Sequence, residues 1–245
     1  MRNSSFYPLL SAILFAVSCN TTYKAEKVEY GNYRIQQHAN EGRSLTFIIK
    51  PYSDSVNKLM NVVIGNNETL LERKRQGNTL GYFITDAYLE MAKQKINPNV
   101  DVAFMNSGGI RLPDLPPGSV TQGKVFELMP FDNLMVVLTL KGSLLKQYLD
   151  TLAANDGVIG SGIRVQIVNR TAQQIMVTGK PLDLNSDYIV VHSDYVVMNS
   201  NLLKNINRTT SDYLLRDAII DYIKFINGQG NKITVSNTDR ISYVN

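Results

Sequence analysis

Apolar residues recur with two different periods along this chain, and the switches between them outline its elements. Leu45-Thr-Phe-Ile-Ile49 is a continuous apolar run and reads as a short strand stopping before Pro51, which cannot donate to a ladder. Val56, Leu59, Met60 and Val63 fall at the i, i+3, i+4, i+7 spacing of one helical face, with Ser53 or Asp54 as cap and Gly65 as stop. A second helix is predicted from Thr79 to Lys95, carrying Leu80, Phe83, Ile84, Ala87 and Met91 on one face and halted by Pro98. Val100 to Met105 reads as a buried strand leading into the glycine turn Asn106 to Arg111.

Downstream, Pro113, Pro116, Pro117 and Gly118 predict a loop, and Thr121 caps a short helix to about Leu128. Leu134 to Leu140 is a strand, and Ser143 is placed to cap a helix with Leu145, Tyr148, Leu149 and Leu152 in register. Strands follow at Gly162–Val168, Gln174–Thr178 and Tyr188–His192. A last amphipathic helix is expected from Ser211 to Ile226, then strands at Ile233–Val235 and Arg240–Val244. Helices mixed with consecutive strands favour an α+β domain over a regular βαβ repeat.

The first residues have a different pattern. Arg2 precedes a mostly apolar run, Phe6 to Val17, too short to span a bilayer as a helix. It ends in Ala16-Val17-Ser18-Cys19, which fits a bacterial lipoprotein leader in which Cys19 becomes the lipidated first residue. The expected organisation is a leader at 1–18, a lipidated Cys, tether and first strand at 19–50, and a single domain at 51–245. A lipid anchor would hold that domain at the bacterial cell envelope, facing the periplasm. Cys19 is the chain's only cysteine, so an internal disulfide is excluded. The formal charge of +4 comes from 25 basic and 21 acidic residues spread along the chain. No basic stripe argues for nucleic acid.

Candidate chemistry is sparse. The only histidines are His38 and His192, both read as structural, and no clustered His, Asp or Asn spacing of a dinuclear metal phosphatase is present. There is no Gly-x-Ser-x-Gly elbow and no P-loop. The strongest feature is Asn106-Ser-Gly-Gly-Ile-Arg111. It sets an amide and a guanidinium at the two ends of a turn in which Gly108 and Gly109 permit tight backbone geometry and close approach of a ligand. The amide suits a base edge and the guanidinium a phosphate. From these residues alone, a structural turn with an exposed arginine and a binding site are equally consistent.

The motif does not stand alone. Met105-Asn-Ser-Gly-Gly-Ile-Arg111, Gly118-Ser-Val-Thr121, Met129-Pro-Phe-Asp-Asn133 and Leu138-Thr-Leu-Lys-Gly142 succeed one another, followed by Pro181-Leu-Asp183, Tyr188, Ser193-Asp-Tyr195 and Arg240-Ile-Ser. From about residue 53 to 245 the chain thereby resembles the C-terminal domain of the 5′-nucleotidases and UDP-sugar hydrolases. The resemblance implies that this domain grips a nucleoside monophosphate or nucleoside. A separate metallophosphatase domain would carry two divalent metals and perform hydrolysis. It places Asn106 on the base and Arg111 on phosphate, with Phe131 and Tyr195 as the two rings that sandwich the base. Taken alone, Phe131 reads as a core residue and Tyr195 as a strand-end tyrosine. Arg73 and Arg75 are both candidates for a further phosphate contact, though such a charge cluster taken alone reads as solvated. A Gly-Gly-Asp element of the family is replaced here by Asn199, Ser200 and Asn201. Asn201 then stands where a carboxylate would bind ribose, and the side chains at 199 and 200 stand at the approach to the ligand.

Three readings follow. The chain is the recognition half of a split 5′-nucleotidase, with no metal or other cofactor of its own and inactive without a separate metallophosphatase chain. Alternatively it is a non-catalytic ligand-binding envelope lipoprotein that has lost nucleotide binding, which the altered 199–201 segment motivates. An autonomous hydrolase is disfavoured because metal-ligand motifs are absent.

Overall fold

The computed structural model of the chain describes residues 27, 29–31, 43–155, 157–235 and 239–244. Cys19, the leader before it and His38 lie outside the described residues. Among the described residues, no helix is long and apolar enough to cross a membrane.

The first described element corrects two expectations. Helix α1 runs Arg43–Met60 with Pro51 inside it, so Leu45 to Ile49 is helical and not a strand. A strand needs a partner ladder, and among the described residues this segment has none; local pairs serve the helix instead, including Lys50 to Asp54 at 2.8 Å. The helix stops at Met60, and Val63 begins β1 (Val63–Asn67). Val63 therefore pairs across to Thr121 of β5 (Gly118–Thr121) and does not extend a helical face.

The remaining elements in chain order are β2 (Leu71–Glu72), α2 (Thr79–Lys95), β3 (Val102–Phe104), β4 (Asp114–Leu115), α3 (Gln122–Leu128), β6 (Leu134–Lys141) and α4 (Gly142–Ala154). There follow β7 (Gly160–Ser161), β8 (Ile163–Val168), β9 (Thr171–Val177), β10 (Lys180–Pro181), β11 (Asp187–Ser193) and α5 (Asp194–Asn199). β12 (Arg208–Leu214), α6 (Leu215–Gly228) and β13 (Ile241–Val244) complete it. This is an α+β fold.

Side chains on a strand alternate between faces, and here both faces of the central sheet are covered. That sheet has the order β12-β6-β11-β3-β7. Val136, Leu138 and Leu140 of β6, with Val102 and Phe104 of β3, join one core with α4 and the second sheet, β10-β9-β8-β13. The intervening Met135, Val137 and Ala103 join the other core, where Phe83, Ile84 and Met91 of α2 meet Ile219 and Ile223 of α6. Each fully buried aliphatic or aromatic side chain contributes about 1.5–3 kcal/mol relative to exposure, so the two cores define the register.

Three helix and strand boundaries differ from expectation. Thr121 caps α3 as predicted, its hydroxyl accepting from the Lys124 amide at 3.2 Å. Ser143 does not cap α4: the helix starts at Gly142, and the amides of Gly142 and Ser143 donate to the carbonyls of Ser186 and Leu184 at 2.8 and 3.0 Å. A neighbouring turn thus satisfies the free N–H groups that a cap would have served. Residues 211–214, predicted as helix, belong to β12, where the Ser211 hydroxyl donates to the Met135 carbonyl at 2.8 Å. Ile233 forms only an isolated bridge to Asn67 in place of a strand.

Candidate functional site

The central sheet dictates where a ligand site can form. β3 and β11 are adjacent and parallel, with Val190 beside Val102 and Val191 beside Ala103. β6 runs antiparallel to β11, pairing Met135 with Ser193. The carboxyl ends of β3 and β11 and the start of β6 therefore meet at one edge. In open sheets, the crevice beyond the carboxyl ends of parallel strands is the usual ligand position. The segment after β3 supplies Asn106, the segment before β6 supplies Phe131 and Asn133, and the helix after β11 supplies Tyr195.

These segments enclose an open cavity of about 360 Å³ lined by Asn106, Gly108, Gly109, Arg111, Phe131, Asn133 and Tyr195. The volume lies within the range of small-molecule sites, ~300–1,000 Å³. The turn after β3 is a single 3-10 turn, closed by Gly109 N–H to the Asn106 carbonyl and Ile110 N–H to the Ser107 carbonyl, both 3.1 Å. Gly108 and Gly109 both keep negative φ here, so the turn does not use their conformational freedom. A Cβ at Gly109 would lie 2.8 Å from Met105 Cε, the far end of a flexible side chain that can give way, and 3.4 Å from Asn106 Oδ1.

Arg111 is anchored by its amide, which donates to the Leu128 carbonyl at 3.0 Å. Its guanidinium carbon stands 4.9 Å from the centre of the Phe131 ring, and among the described residues it has no carboxylate partner. Stacking of this kind is worth ~0.5–1 kcal/mol at an exposed site and leaves the N–H donors available. Tyr195 sits in the first turn of α5 and is 58% exposed. Among the described residues, Phe131 and Tyr195 make no ring–ring contact although both line the same cavity.

The other candidates lie elsewhere. Arg73 braces the turn from outside, donating from Nη1 to the Ile110 carbonyl at 2.5 Å. Arg75 lines a separate cavity with Arg170 and Tyr243, its guanidinium 5.6 Å from the Tyr243 ring centre. Neither arginine lines the cavity of Asn106. Asn199, Ser200 and Asn201 are also absent from its walls. The Asn199 amide donates to the Tyr195 carbonyl at 2.7 Å, and Asn201 Oδ1 accepts from Lys204 Nζ at 3.0 Å.

Two supporting residues escaped the sequence reading. Asn133 lines the cavity two positions beyond Phe131, within a motif that was noted for its aromatic ring. Arg216 of α6 holds the Phe131 loop, reaching Asp132 Oδ1 at 2.6 Å and the Phe131 carbonyl at 3.3 Å, and stacks 4.1 Å over Phe126. Nothing in local spacing marks Arg216, because its partners lie 84 and 85 residues away.

His192 lies outside the cavity walls. Its Nδ1 accepts from the Ser193 amide at 2.8 Å and its Nε2 lies 2.6 Å from the Tyr148 hydroxyl. Protonation would cost the Nδ1 acceptor role, and burial lowers the imidazole pKa to about 3. Among the described residues, no group of three or more His, Cys, Asp or Glu is placed to hold a metal ion. These residues do not fit a dinuclear centre, and no catalytic step is assigned to them.

Fold and cavity together define a class: an α+β domain with a polar and aromatic cavity at the carboxyl ends of two parallel strands. The chain belongs to the family "5′-nucleotidase, C-terminal domain", whose family model matches residues 58–204. It is 28% identical over 164 residues to a 5′-nucleotidase of Vibrio vulnificus, covering 63% of this chain and 28% of that protein. Against protein UshA of Yersinia enterocolitica the identity is 27% over 182 residues, covering 70% of this chain and 32% of the relative. A crystal structure of a 5′-nucleotidase precursor from Thermus thermophilus superposes with a TM-score of 0.70 at 25% identity, over 83% of this chain and 43% of that one. The chain thus spans about a third or less of these two curated relatives.

Proposed function

We propose that this cavity receives a nucleoside or nucleoside 5′-monophosphate and that the chain is the recognition half of a split 5′-nucleotidase. The base lies between Phe131 and Tyr195, the Asn106 amide meets its edge, and Arg111 holds the phosphate. Hydrolysis then takes place on a separate metallophosphatase chain carrying two divalent metals. Cys19 supplies a lipid anchor on the periplasmic side; loss of membrane sedimentation in Cys19→Ser tests this part. The observation that carries the reading is that four of the residues assigned through the family resemblance, Asn106, Arg111, Phe131 and Tyr195, share the walls of one cavity.

The test is phosphate release from AMP by the chain mixed with a metallophosphatase chain loaded with divalent metal, beside each component alone. Release well above the sum of the components, lost in Arg111→Ala, is expected. A non-catalytic binding lipoprotein is the second reading, favoured by Asn201, whose amide oxygen already accepts from Lys204. It predicts ligand binding with no gain in phosphate release on mixing, and that result would remove the split-enzyme reading.

A further inference from the structure

Next to the open cavity lies a small space of about 10 Å³. Tyr88 of α2 and Ser193 line it, and it shares Asn106, Gly109 and Asn133 with the open cavity. Its size is at the lower bound for one water molecule, ~10–15 Å³ on this measure. Tyr88 is 1% exposed, and among the described residues its hydroxyl has no hydrogen-bond partner. Burial pushes its phenol pKa well above the ordinary value, so the hydroxyl stays protonated and able to donate. A buried hydroxyl left unpaired is destabilising. Phe104, Met105, Met129 and Leu215 make most of the wall, but Tyr88, Asn106, Asn133 and Ser193 supply the two to four polar partners that a bridging water needs.

The Asn106 amide stands between the two spaces. Its Oδ1 lies toward Gly109, which lines both, and its Nδ2 lies toward Gly108, which lines only the open cavity. The Ser193 hydroxyl is directed at Asp194 Oδ1, 3.4 Å away, which leaves its oxygen free to accept.

We infer that Tyr88 is a positioning residue for Asn106. Its hydroxyl donates to one water in the small space, and that water donates to Asn106 Oδ1 and to Ser193 Oγ. The amide is thereby fixed with its Nδ2 donors facing the open cavity, selecting a ligand edge that offers an acceptor. The consequence for ligands rests on the nucleoside reading above; the water bridge does not.

Tyr88→Phe removes one oxygen atom and leaves the packing intact. Three measurements on the full chain decide the matter. Without ligand, the variant is expected to melt about 2–4 °C lower, as for loss of one buried hydrogen bond in a chain of this size. The side-chain amide resonances of Asn106 should shift or broaden in the same variant. With adenosine as probe, calorimetry should show binding weakened about three- to tenfold, and no further weakening when Tyr88→Phe is added to Asn106→Ala. An unchanged or raised melting temperature with unmoved Asn106 resonances means a dry void and overturns the inference. An equal loss of affinity on the Asn106→Ala background, or none on the wild-type background, overturns the positioning role. If the wild-type chain binds no nucleoside, the reading of function fails instead, and the ligand-free measurements still decide the water bridge.

Discussion

Arg240 and Arg111 line two cavities of similar size, and they differ in what each guanidinium already holds. In the cavity of about 430 Å³ lined by Asp86, Arg164 and Arg240, the Arg240 guanidinium meets both oxygens of Asp86, at 2.7 and 3.1 Å. Arg240 also donates to the Ser161 hydroxyl at 2.7 Å, which in turn donates to Asp86 at 2.5 Å, and it stacks 4.7 Å over Tyr82. In the cavity of Asn106, Arg111 meets only the face of Phe131 and no carboxylate among the described residues. The first guanidinium is committed to joining α2 to the segment that opens β13. Among the described residues, the second keeps its donors uncommitted. Arginine in a cavity is therefore a poor marker of a site until its charge partners are counted.

The sharpest way to break this contrast is to remove the carboxylate. Asp86→Ala removes the carboxylate that Arg240 holds and is expected to cost about 3 kcal/mol in urea unfolding, the low end for such pairs because the Asp86 side chain is 29% exposed. Arg111→Ala should cost under about 0.5 kcal/mol in the same assay, as an exposed substitution with no committed partner does. Equal losses would erase the distinction between structural and available arginines.

A second committed group is His192, and it can be titrated. Burial lowers its pKa to about 3, against an ordinary value of 6.5. Between those values the unfolded chain binds a proton that the folded chain refuses, so stability rises with pH in that window and falls as pH drops through it. The imidazole contribution is complete above pH 6.5. Between pH 6 and 4.5 the loss from this group is about 2 kcal/mol. His192→Gln should flatten that part of the profile; a profile unchanged by the substitution would show that other groups carry the acid sensitivity.

The available side is probed by ligands. Arg111→Ala is expected to weaken AMP binding by about 1.5–3 kcal/mol, the range for hydrogen bonds to a charged group, while leaving adenosine binding within about twofold. A matching loss for both ligands would move Arg111 off the phosphate. The smallest expected effect is at Asn201. Asn201→Asp restores an acidic side chain at that position, but Lys204 lies within reach, 3.0 Å from the present amide oxygen. The gain in nucleoside affinity should stay below about 1 kcal/mol. A larger gain would place position 201 on the ligand itself.

How much of this was legible in sequence varied with range. Elements whose apolar period serves a covered face were read correctly: α2, β6 and β8 each follow their pattern because tertiary packing agrees with it. Leu45 to Ile49 failed because β-branched and aromatic runs favour strands only where a sheet accepts them. Gly65 read as a helix stop, yet it sits inside β1, where a Cβ would stand 2.5 Å from Ile223 Cγ2 of α6. That glycine answers to a residue far along the chain, which no local window contains. At the cavity, the short motifs around Asn106 and Phe131 were visible as motifs. Arg216, Tyr88 and the separation of Arg73 from Arg75 depend on contacts between distant segments and were not.

The central claim is that Phe131 and Tyr195 receive a base between them, and calorimetry of adenosine with the wild-type chain and with Phe131→Ala tests it most directly. Saturable binding that weakens by about 1–3 kcal/mol on loss of the ring is expected. Equal affinity in the two proteins would mean that the ring is only a wall of the cavity and that the assigned site is wrong.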